Sequence, residues 1–377
     1  MKPLLGIAAA AGIVLAFAPA PASAQPPPTG ACTPPSTTVI EQESWAQQRM
    51  AADRVWPLTT GSGIVGVVDT GVSAGAPALA GAVLPGTDLA DGPGDGDCFG
   101  RGTFLAGLIA ARPGSGPFTG IAPGVRVFPV RVTDDPPKII DHYGLAQSIG
   151  AGIVAAVEGG ARVVAVGLVA TIEAPDLKSA VAFAAERDVL VIASASVPKN
   201  GQLAFPARLP GVLAVAPVGP DGPVANPVYG TEPALAAPGQ DLIGIAPEGA
   251  GHRVASGGEL AVAYVAGAAA LVRSYYPSLT APEVAERLLA TADQPAGTLP
   301  NKFVGYGVVD PFAAVTTVLN TDPPASPIRE HLVVPLPERP DTAPANRALW
   351  FAGGVAAVAL LVAGPSVVAA TGRRRRH

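Results

Sequence analysis

Short apolar runs alternate along the chain with longer segments in which apolar residues recur at helical spacing. The run at residues 64–68 is apolar around Gly66 and ends at Asp69, ahead of a glycine-containing turn. Such runs are typical of strands buried on both faces. Further strands are predicted at residues 162–166 and 189–193, and helices at residues 44–56, 146–159 and 177–187. This alternation predicts an α/β fold, with a mostly parallel central sheet and helices on both faces.

The first 24 residues have the pattern of a secretory signal peptide. Lys2 is followed by an apolar run over residues 4–18 and by the sequence Ala-Ser-Ala at residues 22–24, which is typical of a cleavage site. We therefore expect residues 1–24 to be removed during export. Residues 25–60 then form an amino-terminal extension ahead of the main domain, which we place at residues 61–320.

A second long apolar stretch lies near the carboxyl terminus, where residues 349–371 carry no charge. About 20 apolar residues suffice for a helix to span a bilayer, so we predict one transmembrane helix at residues 347–372. The tail at residues 373–377 begins with four arginines, which favour the cytoplasmic side. The chain is therefore predicted to be a single-pass type I protein of the cell membrane. Its main domain is extracytoplasmic, on a proline-rich linker at residues 321–346.

Composition narrows the function classes further. The net charge is −5 and no basic patch lies in the main domain, so nucleic acid is not an expected partner. No cofactor or metal is predicted, since no dense run of acidic and amide residues indicates a calcium loop. Cys32 and Cys98 are the two cysteines, and in an exported chain we expect them to form a disulfide.

Three segments in a fixed order carry the candidate chemistry. Asp69 is followed by a glycine-rich helix start at residues 100–112 and by another at residues 256–273. In this order, with βα units between them, they resemble the motifs of the subtilisin-like serine proteases, the subtilases. The extension, the linker and the anchor resemble the mycosins, the membrane-anchored subtilases of type VII secretion systems. The resemblance implies a subtilisin-like fold, serine endopeptidase activity and a type VII secretion membrane complex as partner.

The residues at the catalytic places of the family do not support that activity. Asp69 stands at the aspartate place, but the histidine place is Arg101, the oxyanion asparagine place is Val197 and the serine place is Glu259. A guanidinium stays protonated and cannot act as a general base. A valine donates no hydrogen bond to an oxyanion, and a glutamate does not replace the nucleophilic hydroxyl. The sequence therefore predicts a pseudoprotease.

The family places the histidine between the aspartate and the serine, so we expect Arg101 to lie between Asp69 and Glu259. The substitutions either compensate each other, in an Asp69–Arg101–Glu259 ion cluster, or arose independently after activity was lost. His142 and His252 are interpreted as surface residues without a catalytic role, and His331 and His377 fall in the linker and the tail.

Three functions remain open at this point. The first is a membrane-anchored scaffold or stabiliser of the secretion complex. The second is an active serine endopeptidase, as the family resemblance alone implies. The third is a module that binds a peptide in the old cleft without cleaving it.

Overall fold

The computed structural model describes residues 32–89, 94–114, 118–134 and 141–319. The chain divides into two units, Met1–Pro324 and Ala325–His377, and all described residues lie in the first. The predicted signal peptide, linker and transmembrane segment fall outside the described residues. Within them, no helix combines the length and the apolar character needed to cross a bilayer.

Among the described residues, eight strands form one sheet at the centre of the domain. Across the sheet the order is β2-β3-β1-β4-β5-β6, and both β7 and β8 pair with β6. Every pairing is parallel except that of β6 with β7. The predicted mostly parallel sheet is thus confirmed. In chain order the strands are β1 (Ile64–Asp69), β2 (Thr87–Asp88), β3 (Arg126–Arg131), β4 (Val163–Val166), β5 (Leu190–Ser194), β6 (Val212–Gly219), β7 (Gly222–Pro223) and β8 (Leu235–Pro238).

Helices cover both faces of this sheet, as predicted. The core on one face joins Val65 and Val67 of β1 to α2 and α5, and the core on the other joins Val68 to α3 and α4. Residues 260–273 of α5 are all buried, so this helix passes through the middle of the first core. The helices are α1 (Trp45–Met50), α2 (Arg101–Ala110), α3 (His142–Glu158), α4 (Pro175–Glu186), α5 (Gly258–Tyr275), α6 (Ala281–Ala290) and α7 (Pro311–Thr316).

Two helix boundaries differ from the predicted ones by four residues or more. The helix predicted over residues 44–56 ends at Met50, because Ala51 adopts a left-handed conformation with φ 42°, and a 3-10 turn at Ala52–Arg54 follows. The helix predicted from residue 146 begins at His142, since the Asp141 side chain accepts hydrogen bonds from the backbone of Tyr143 and Gly144. In both cases a local backbone or capping interaction moves the boundary.

The extension lies against the main domain near the start of α2. A disulfide joins Cys32 to Cys98, which confirms the predicted pair. Beside it, the backbone N–H of Thr33 donates to the Cys98 carbonyl at 2.7 Å, and the Thr33 hydroxyl donates to the Phe99 carbonyl at 2.6 Å. An antiparallel hairpin of β9 (Leu242–Ile245) and β10 (His252–Ala255) stands nearby and also contacts the extension.

Candidate active site

The candidate site lies at the carboxyl edge of the parallel sheet, where open α/β folds build their sites. Asp69 is the last residue of β1, Arg101 is the first residue of α2 and Glu259 is the second residue of α5. Val197 follows the end of β5. The topology therefore brings the four predicted places to one edge of the sheet.

Asp69 and Arg101 form a direct ion pair. Nε of Arg101 donates to Oδ1 of Asp69 at 2.9 Å and to Oδ2 at 3.2 Å. The Asp69 side chain is fully buried, and 17% of the Arg101 side chain is exposed. The backbone N–H of Thr70 donates to the same carboxylate at 2.7 Å. Asp69 thus holds a permanent cation where the family holds an imidazole.

The electrostatics of Arg101 exclude a role as proton acceptor. Burial disfavours its charged form, but attraction from Asp69 and then from Glu259 outweighs burial and raises the pKa of Arg101. Only Nε faces Asp69, and Nη2 is buried without a hydrogen-bond partner among the described residues. The guanidinium is therefore fixed in its charged form and only partly satisfied.

Asp97 anchors the helix that carries Arg101, a role that the sequence analysis did not predict. Its carboxylate accepts four hydrogen bonds of 2.7–2.8 Å, from the Thr70 hydroxyl, the Gly100 backbone and both the backbone and the hydroxyl of Thr103. The Thr70 hydroxyl in turn accepts from the backbone of Gly102 at 3.0 Å. Burial raises the pKa of Asp97 to about 6, against these hydrogen bonds, which lower it. Asp97 precedes the N-cap residue Gly100 by three positions, so no capping pattern in the sequence identifies it.

Glu259 lies near Arg101 but does not pair with it. Burial raises the pKa of Glu259, while attraction to Arg101 opposes the rise. The carboxylate lies over Gly257, where a Cβ would come within 2.2 Å of Oε1, and its closeness to the Glu259 backbone N–H lowers its pKa. Among the described residues, the ion cluster proposed from sequence is therefore a direct Asp69–Arg101 pair, with Glu259 acting at longer range.

The turn of Glu259 also affects the oxyanion donors. A backbone N–H at the nucleophile is one of the groups that stabilise the oxyanion in serine proteases. Here the residue at that position is Glu259, whose carboxylate lies close to this N–H and to Gly257. A side chain in this position competes with an oxyanion for the N–H.

The second oxyanion place has become part of the core. Val197 is 7% exposed and packs in the core on the α3 and α4 face, and its backbone N–H donates to the Val228 carbonyl at 2.9 Å. The neighbouring Ser196 fills space at Gly258, where a Cβ would lie 2.4 Å from the Ser196 hydroxyl oxygen. Ser196 stands at the glycine of the subtilase motif Ala-Gly-Asn, so a side chain is gained there. Gly258 stands at the threonine of the motif Gly-Thr-Ser, so a side chain is lost there. The two changes fit each other sterically.

The described histidines do not complete a catalytic group. Nδ1 of His252 accepts a hydrogen bond from the backbone of Ile40 at 2.9 Å, and His142 begins α3 with its Nδ1 buried and unpartnered among the described residues. His331 and His377 lie outside the described residues. The structure thus brings Asp69, Arg101 and Glu259 together, and turns Val197 into the core.

Comparison with known proteins places the chain in a family. The subtilase family profile, Peptidase_S8, matches residues 61–307. Mycosin-3 of Mycobacterium tuberculosis is 31% identical over 88% of this chain and 84% of its own length. The solved structure of the serine protease MycP1, described as an essential component of the type VII (ESX-1) secretion system, superimposes with a TM-score of 0.66. The two sequences are 30% identical, and the superposition covers 76% of this chain and 92% of the MycP1 chain.

A chain from the structure of an intact ESX-5 inner membrane complex also superimposes with a TM-score of 0.66. The two sequences are 28% identical, and the superposition covers 90% of this chain and 93% of the chain from the ESX-5 complex. Family profile, sequence relatives and solved structures agree with the resemblance seen in the motifs. The chain belongs to the subtilase family and is a mycosin-like member of it.

Proposed function

We propose that this mycosin-like protein is a catalytically inactive subtilase that serves as a structural subunit of a type VII secretion membrane complex. The observation that carries the proposal is the Arg101 to Asp69 contact of 2.9 Å. The aspartate that orients the catalytic histidine in active relatives here neutralises a permanent cation.

Each step of serine proteolysis lacks its group at this site. The reaction needs a hydroxyl nucleophile, a neutral base beside it and donors aimed at the oxyanion. Arg101 has a raised pKa and accepts no proton. Glu259 occupies the serine place and carries no hydroxyl nucleophile. These features support the loss of peptide-bond hydrolysis.

The relatives support the structural role. Solved structures that superimpose on this chain include a periplasmic assembly from the ESX-5 inner membrane complex, which is 28% identical, and the intact complex described above. The signal peptide predicted at residues 1–24 and the anchor predicted at residues 347–372 favour an extracytoplasmic position of the main domain. A domain without peptidase activity can still form contacts with the other subunits of such an assembly.

The assembly claim is tested by extracting the tagged full chain from membranes with a mild detergent and measuring its native size. The proposal expects a large particle whose co-purifying proteins include secretion-channel subunits. The double variant Asp69→Asn, Arg101→Met is the control, because it leaves no unpaired charge, and it should enter the same particle because no catalytic step is involved. Migration of the wild-type chain as a monomer without partners would contradict the proposal.

The anchor is tested separately with a chain truncated after Asn346. The proposal expects the truncated chain in the soluble extracytoplasmic fraction and the full chain in the membrane fraction. Membranes are washed at alkaline pH to remove proteins held only by other subunits, and recovery of both chains in the washed membranes would contradict an anchor at residues 347–372.

A further inference from the structure

The amino-terminal extension is hydrogen-bonded to the first residue of β10 and to the residues just before it. His252 takes part in most of these hydrogen bonds. The backbone N–H of Ser36 donates to the Glu248 carbonyl at 3.0 Å, and the Gly251 N–H donates to the Ser36 carbonyl at 2.8 Å. The remaining contacts join residues 36–40 to His252. We call residues 36–40 the strap segment.

His252 holds the strap segment with three groups. Its backbone N–H donates to the Thr38 carbonyl at 2.7 Å, and its carbonyl accepts from the Ser36 hydroxyl at 2.8 Å. Its side chain supplies the third contact, because Nδ1 accepts the backbone N–H of Ile40 at 2.9 Å. The ring lies against Phe118, with the two ring centroids 5.5 Å apart.

The strap segment is fixed at both of its ends by other contacts. Before it, Cys32 is bonded to Cys98. After it, Ser44 caps α1, and Nε1 of Trp45 donates to the Gln240 carbonyl at 3.1 Å. Loosening of the strap segment would therefore leave the extension attached while freeing the backbone N–H and carbonyl of His252.

The contact of Ile40 with the ring depends on the protonation state of His252. Neutral imidazole accepts a hydrogen bond at the unprotonated nitrogen, whereas imidazolium donates from both nitrogens and accepts at neither. A protonated Nδ1 would direct its N–H at the N–H of Ile40. Protonation therefore replaces an attractive contact with a repulsive one.

The surroundings of the ring favour the neutral form. Burial lowers the pKa of His252. The charged residues on the flanking segments are Glu41 and Glu43 on the extension, Glu248 ahead of β10 and Arg253 within it, and Phe118 opposite the ring is neutral. Among the described residues, none of these charged side chains forms a hydrogen bond or an ion pair with the imidazole. The hydrogen bond to Ile40 thus forms at neutral pH and is lost in acid.

We propose that His252 is an acid-sensitive latch that fastens the strap segment to β10 and releases it when the ring is protonated. The direction follows from linkage. Consider a histidine whose pKa is lower when the strap segment is bound to β10 than when it is released. Such a histidine stabilises the bound state at pH values above the pKa that it has in the released state. That stabilisation is lost as the pH falls. Release would free the backbone N–H and carbonyl of His252 at the start of β10.

Hydrogen exchange of the full chain in detergent tests the latch. Protection factors of residues 37–44, corrected for the intrinsic pH dependence of exchange, are compared at about pH 7.5 and about pH 5. The loss of one hydrogen bond predicts a fall in protection of about fivefold in acid. Protection that is equal at the two pH values would overturn the proposal.

Two variants locate the effect. His252→Gln replaces the ring with a side chain that does not titrate, and His142→Gln does the same at the other described histidine. The proposal expects the pH response to vanish in His252→Gln, whether its strap segment is closed or open, and to persist in His142→Gln. An unchanged response in His252→Gln would assign the effect to another group and overturn the latch.

Discussion

Replacement of Arg101 with methionine removes the cation that neutralises Asp69 and leaves the carboxylate buried. Breaking a buried ion pair on one side costs about 3–5 kcal/mol of unfolding free energy. We expect the lower end, about 3 kcal/mol, because 17% of the Arg101 side chain is exposed and the Thr70 N–H still donates to the carboxylate. For a domain of this size, that loss corresponds to a fall in melting temperature of roughly 6–12 °C.

Urea unfolding of the full chain, followed by circular dichroism, measures this loss. A matched control is Arg49→Met, since Arg49 pairs with Asp293 at a surface where the side chains are 33% and 61% exposed. Exposed pairs contribute about 0–1 kcal/mol. Adding Asp69→Asn to Arg101→Met should restore part of the stability, because no charge then remains unpaired. An Arg101→Met chain as stable as the Arg49→Met chain would refute the argument for a buried pair.

Three further predictions concern Glu259, Asp97 and Arg287. Glu259→Gln should change the unfolding free energy by less than about 1 kcal/mol in the same assay, since Glu259 lacks a direct ion pair to Arg101 and burial already raises its pKa. Asp97 has a pKa raised to about 6, so the folded state binds its proton more tightly than the unfolded state. The contribution of Asp97 to the unfolding free energy should increase as pH falls from about 7 to about 4, by up to roughly 3 kcal/mol. Asp97→Asn should remove this pH dependence of the unfolding free energy in urea titrations across that range. Arg287 is 2% exposed and donates to the carbonyls of Ala314 and Thr317 at the end of α7. Arg287→Met should therefore cost about 2–4 kcal/mol and speed hydrogen exchange in α7, and unchanged exchange there would contradict this role.

The elements that place the site could be predicted from the sequence because their signals are strong and local. The run ending at Asp69 is apolar throughout, and the buried strand β1 follows from it. The glycine-rich starts of α2 and α5 are visible as motifs, and parallel topology then brings their first residues to the same edge. For this reason the positions of Asp69, Arg101 and Glu259 followed from pattern and family order alone.

Details of the site depend on side-chain torsions and short backbone contacts, which leave no pattern in the sequence. Glu259 could have reached Arg101, but its carboxylate lies over Gly257, close to its own N–H. The four hydrogen bonds to Asp97 arise only once the chain has folded around the start of α2. His252 begins β10, and its contact with Ile40 spans 212 positions of sequence, a distance over which residue spacing carries no information.

Proteolysis by the purified wild-type chain tests the loss of activity most directly. An unfolded protein substrate is incubated with the full chain in detergent, with the Asp69→Asn variant as the matched control, and new amino termini are counted. The account predicts no cleavage above that of the control, since Arg101 accepts no proton and Glu259 offers no nucleophilic hydroxyl. Cleavage by the wild-type chain that Asp69→Asn abolishes would show an active protease and contradict the account.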